Sequence, residues 1–142
     1  MVQALNKKLY TAEATAVGGR EGHVKSSDGV IDMDLAPPAS MGGRDGSSNP
    51  EQLFAAGYSA CFQSALGVVA RRAKVDTSDS RVTAQVSIGT VGGGGFGLAV
   101  NMQVHIPGVD EATAERLVEE AHKVCPYSNA TRGNIEVTSS IV

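Results

Sequence analysis

Asn49-Pro50-Glu51-Gln52-Leu53-Phe54-Ala55-Ala56-Gly57-Tyr58-Ser59-Ala60-Cys61-Phe62 opens the long helix on which the reading of the fold turns. Asn49 is suited to accept from the orphan backbone N–H groups as N-cap. Pro50 fits the first helical position, and Gln52 falls three residues after the cap as in a capping box. Glu51 in the first turn and Arg71-Arg72 in the last complement the helix dipole. Between them Leu53 to Ala70 carries no charge and is apolar nearly all round. That length sits at the lower limit for a membrane span. Ser59, Gln63, Ser64 and an apolar content dominated by Ala argue instead for a buried core helix. Its demand for cover exceeds what one small chain supplies easily, which points to a partner chain.

Working outward, residues before the helix read as short strands. Tyr10, Ala12, Ala14 and Ala16 alternate over Leu9 to Ala16, and His23-Val24 begins a return arm beyond Gly18-Gly19. Val30 to Leu35 alternates with Ile31, Met33 and Leu35 inward, and Pro37-Pro38 ends it. After the helix, Val82, Ala84, Val86 and Ile88 keep step over Arg81 to Ile88. Gly92 to Gly95 mark a turn, and Phe96 to Ile106 alternate in the strongest strand signal of the chain. Asp110 caps a second helix with a stripe of Ala114, Leu117, Val118, Ala121 and Val124, which Pro126 stops. A final short strand carries Ile135 and Val137, with Ile141 at its end. Strands in two groups flanking one helix, without a regular βαβ rhythm, predict an α+β fold with antiparallel sheet in a single domain, residues 1–142.

Composition excludes several function classes. The chain has 142 residues, 12 Lys+Arg against 15 Asp+Glu and a net charge of −3. With no basic run, no Trp and few aromatic rings, it lacks the means to hold nucleic acid. Lys7-Lys8 is not followed by a continuous apolar stretch, so no secretory signal is read and a reducing cytoplasm is expected. Gly18-Gly19-Arg20-Glu21-Gly22 lacks the spacing of a phosphate loop, and Gly57-Tyr58-Ser59-Ala60-Cys61 lacks the second glycine of a serine nucleophile elbow. His122 and Cys125 share a helix face, but two ligands make a poor metal site and His23 and His105 add no spacing. No metal or cofactor is expected.

Two cysteines in a reducing compartment point to redox chemistry or idle thiols. Cys61, mid-helix, could be a buried small hydrophobe. Cys125 stands at a helix end, where a thiol is expected to be reached or moved. Their separation excludes a CxxC disulfide reductase motif. Arg20 and Glu51, each an ordinary surface charge alone, gain meaning beside Cys61. A reactive cysteine needs a nearby cation to favour its thiolate, and an Arg facing an apolar pocket needs a carboxylate to hold it.

At these residues the sequence resembles the organic hydroperoxide resistance proteins, thiol peroxidases of the OsmC-like superfamily. The matching blocks are Gly18 to Gly22, Ser27 to Gly29, Asn49 to Phe62 and Cys125 to Val137, in the family's order. Ser48, Glu136 and Arg44-Asp45 depart mildly from the family pattern, away from the chemistry. The resemblance implies an OsmC-like fold: a tightly intertwined homodimer with two antiparallel sheets wrapped round central helices. It implies that Cys61 is the peroxidatic cysteine and Cys125 the resolving one. Arg20 then stabilises the thiolate, and Glu51 orients Arg20. Organic hydroperoxides are the implied substrates, reduced in a cycle recharged by a lipoylated protein or another dithiol. A catalytically idle OsmC-like domain that binds an apolar small molecule or senses oxidants would lack one of these four residues, and none is missing. Phe54, Phe62, Met41 and Tyr127 are near the motifs as candidates for an apolar pocket.

One consequence is geometric. Glu51 and Cys61 are ten residues apart, about 15 Å along a straight helix, and on different faces. Either the Glu51 that completes each site comes from a partner chain, or the helix breaks between the two.

Overall fold

The computed structural model describes residues 2–142, which form two compact units divided after Pro50. The first unit holds a three-stranded antiparallel sheet of β1 (Ala14–Val17), β2 (His23–Ser26) and β3 (Asp32–Asp34) in that order. Short 3-10 turns occupy Gly19–Glu21 and Ala39–Met41. β1 is shorter than the alternation from Leu9 predicts. Ala14 already pairs with Ser26, and the chain turns at Ser27 to Gly29, so the described residues before Glu13 have no neighbouring strand in this sheet. Likewise β3 covers only the middle of the expected Val30 to Leu35. Met33 is half-buried and Leu35 buried as expected, whereas Ile31 is exposed.

The second unit begins with the body of α1 (Pro50–Arg72), followed by β4 (Arg81–Thr90), β5 (Phe96–His105), α2 (Glu111–Val124), α3 (Pro126–Thr131) and β6 (Glu136–Ile141). β4 and β5 form the expected hairpin, whose turn places Gly93 and Gly94 at φ of 85° and 86°, a region that costs a residue with a Cβ. Asp110 caps α2 as predicted, accepting from the Thr113 N–H at 3.1 Å. Against an all-antiparallel expectation, β6 runs parallel to β5. The two are joined through α2 and α3, and a helical crossover of that length allows the parallel return that a tight turn forbids. The architecture is α+β with two small sheets, as the composition of elements predicts.

The core of this unit is a stripe on α1 (Tyr58, Phe62, Ala65, Leu66, Val69, Ala70) set against Val100, Met102 and Val104 of β5 and Ala114, Leu117, Val118 and Ala121 of α2. Positions 58, 62, 65 and 69 recur at helical spacing and so lie on one face. Each fully buried large side chain in it contributes about 1.5–3 kcal/mol. By length and composition α1 could cross a membrane, yet its apolar stripe is spent on this core. Its opposite face, with Ala56, Ala60, Gln63 and Ser64, is exposed, so among the described residues this unit covers only one side of the helix.

Candidate active site

Two elements bring the cysteines together. Cys61 projects from the middle of α1, half-buried against the core. Cys125 is the hinge between α2 and α3, ending one helix and capping the next. Pro126 explains the hinge. It cannot donate to α2, and it drives the residue before it out of helical geometry. Cys125 accordingly takes φ −65° and ψ 121°. The same proline that stops α2 opens α3 at its first position. The Cys125 thiol donates toward the Cys61 sulfur, with Sγ to Sγ at 3.6 Å.

The expected exposures are reversed. Cys125 is 0% exposed, and Cys61 is the accessible one. A helix end is loose only if nothing packs on it, and here α1 closes over Cys125. Burial pushes the Cys61 thiol above its ordinary range. The Tyr127 backbone N–H works in the opposite direction, and the neighbouring Cys125 sulfur adds to the rise.

Tyr58, one turn before Cys61, anchors α3. Its hydroxyl lies 2.9 Å from Ser128 Oγ and 3.1 Å from Thr131 Oγ1, all three groups buried. Ser128 Oγ also meets His122 Nδ1 at 2.7 Å, and His122 Nε2 meets Ser139 Oγ at 2.8 Å. Both ring nitrogens of His122 are thus engaged by serines. Burial lowers its pKa, and the nearby Arg132 charge adds to that. Tyr58, His122, Ser128, Thr131 and Arg132 line a cavity of about 230 Å³ that includes neither sulfur. The network has no local signal in the sequence, because hydrogen-bonded partners in it are up to 73 positions apart.

Glu51 is half-buried in the first turn of α1, and the helix is continuous from Pro50 to Arg72, so no break brings Glu51 to the Cys61 of its own chain. Arg20 is exposed on the 3-10 turn of the first unit. Phe62 is fully buried against the His122 ring, 4.6 Å between centroids, and is core rather than pocket wall. Met41 is exposed in the first unit. Phe54, Tyr58 and Tyr127 form an aromatic cluster with centroids 5.7–6.0 Å apart.

Residues 43–140 match the model of the OsmC-like protein family. The chain belongs to that family. Among curated family relatives, the organic hydroperoxide resistance protein of Xanthomonas axonopodis pv. citri is 50% identical over 137 residues, covering 95% of this chain and 96% of the relative. The organic hydroperoxide resistance protein OhrA of Bacillus subtilis is 49% identical, with 96% and 99% covered. Among solved structures, the organic hydroperoxide resistance protein from Elizabethkingia anophelis, with crystallant-derived thiocyanate bound, superposes with a TM-score of 0.90 at 56% identity, covering 95% of this chain and 97% of that one.

Proposed function

We propose that the chain is a cysteine-based peroxidase, a single OsmC-like domain that reduces organic hydroperoxides to alcohols. The observation that carries this reading is the 3.6 Å approach of an accessible thiol to a buried one. The Cys61 thiolate attacks the distal peroxide oxygen and the O–O bond breaks. The alkoxide leaves, taking a proton to become the alcohol, and Cys61 is left as a sulfenic acid. Cys125 then attacks the Cys61 sulfur, and the displaced hydroxide takes the Cys125 proton to leave as water. A disulfide is about 2.05 Å long, so the sulfurs close by only about 1.5 Å. This short path competes with irreversible oxidation of the sulfenic acid.

Arg20 and Glu51 enter by resemblance. Arg20 offsets the burial that disfavours the Cys61 thiolate, and Glu51 orients Arg20. A continuous α1 supports the reading that the Glu51 completing each site is the partner's, in a homodimer. Val2, Leu5, Leu9 and Tyr10 support the same assembly, being apolar and each at least 77% exposed within one chain. A folded, dissociated monomer with full activity would contradict it.

Recycling is assigned to a dithiol, with a lipoylated protein as its source. Because Cys125 is sealed, the reductant thiolate attacks the Cys61 sulfur and Cys125 leaves. The second reductant thiol then closes its own disulfide and frees Cys61. Such a cycle belongs in the reducing cytoplasm. The test is steady-state reduction of cumene hydroperoxide driven by dihydrolipoamide. Turnover that is lost in Cys61→Ser is expected, and sustained turnover by Cys61→Ser would refute the assignment.

A further inference from the structure

Gly57 stands one turn before Cys61 within a 23-residue helix, where glycine costs about 1 kcal/mol relative to alanine. Its neighbour in space gives the reason. A methyl group built there would lie 2.9 Å from Tyr127 Oη, 3.2 Å from Cε2 and 3.4 Å from Cζ. Gly67, the other glycine of α1, has no such constraint. A methyl group on it would meet only the flexible end of Arg71, at 3.5 Å. Tyr127 is the second residue of α3, two positions after Cys125, and its ring also packs on Phe54 and Tyr58. Its backbone N–H acts on the Cys61 sulfur and lowers that thiol's pKa. The Tyr127 ring is thus pinned to α1 one turn from Cys61, while its main chain faces the Cys61 sulfur.

We propose that Gly57 is a positioning residue: the missing side chain on α1 is a notch that receives the Tyr127 ring and so holds the start of α3, with its backbone N–H and Cys125, against Cys61. This rests on the peroxidase reading for its purpose, but its test needs no peroxide. Reduced parent, Gly57→Ala, Tyr127→Ala, the double variant and the control Gly67→Ala are alkylated with iodoacetamide across a pH series. The rate at Cys61 is read by peptide mass, which separates it from Cys125. Gly57→Ala is expected to raise the pH midpoint of alkylation by about one unit, the scale of a lost backbone hydrogen bond to a charged sulfur. In the Tyr127→Ala background the same substitution is expected to add almost nothing, and Gly67→Ala to change nothing. An unmoved midpoint in folded Gly57→Ala, or an equal shift with and without the Tyr127 ring, overturns the proposal. Should Gly57→Ala fail to fold, Tyr127→Ala decides the matter: removing the ring frees the start of α3, so its midpoint must rise, and an unchanged one overturns the proposal. Failure of the peroxidase reading would show separately, as a parent protein whose thiols ignore hydroperoxide.

Discussion

Replacing Tyr58 by phenylalanine removes one oxygen and leaves the ring in the core. The hydroxyl bridges α1 to α3 through Ser128 at 2.9 Å and Thr131 at 3.1 Å, with no access to water for any of the three groups beyond a few percent. A net hydrogen bond contributes about 1 kcal/mol, and a buried group left unpaired costs more. Neither partner is left wholly unpaired here. Ser128 keeps His122 Nδ1 at 2.7 Å, and Thr131 Oγ1 keeps its bond to the Ser128 carbonyl at 3.3 Å. The expected loss is therefore about 1–2 kcal/mol. In urea, at fixed protomer concentration, this moves the midpoint down by roughly 0.5–1 M for a slope near 2 kcal/mol per M. Disulfide closure between Cys61 and Cys125 is expected to slow as well, because α3 loses its tie to α1. A midpoint and closing rate equal to the parent's would refute the assigned role of this hydroxyl.

Other outcomes follow from the same geometry. Cys125→Ser is expected to consume one equivalent of hydroperoxide and then over-oxidise at Cys61, visible as added oxygen by intact mass. Continued turnover with dihydrolipoamide would remove Cys125 from the cycle. Arg20→Ala is expected to raise the Cys61 pKa and slow its oxidation in stopped flow, and an unchanged rate at every pH would take Arg20 out of the mechanism. Hydrogen bonding from the Thr113 side chain, and after it from the Thr113 N–H, holds the Asp110 carboxyl below its ordinary value. Its contribution is therefore full above the unfolded pKa near 3.9 and fades as pH falls through the lower folded value. Asp110→Ala should be less stable than the parent at neutral pH and converge on it in acid. A deficit independent of pH would contradict the charge-based part of this cap.

What could be read along the chain was whatever has a local signal. The Asp110 cap of α2, the proline that ends it, the alternation of β5 and the glycine turn before it all act within a few residues, and α2 and the β4–β5 hairpin fall where these patterns put them. The parallel return of β6 has no such signal, since it depends on where α2 and α3 deliver the chain. α3 itself is six residues behind a proline that reads simply as a stop. The exposures of the two cysteines come out reversed for the same reason. Mid-helix and helix-end positions say nothing of which one α1 and α2 close over. The polar tie of Tyr58, Ser128 and His122 has no local signal either, since its members meet only once the chain is folded. Gly57 did carry a signal: a glycine in the interior of a strong helix marks a close approach. Arg20 and Glu51 stand out as the cation and carboxylate that a reactive Cys61 would need, but their roles come only from the block in which each stands.

The most direct test of the central claim is a free-thiol count with intact mass after one equivalent of cumene hydroperoxide per reduced chain. Rapid loss of both thiols and a mass lower by two hydrogens within a single chain are expected, locating the bond at Cys61 and Cys125. Two thiols surviving unmodified in folded protein would contradict it and leave a silent site.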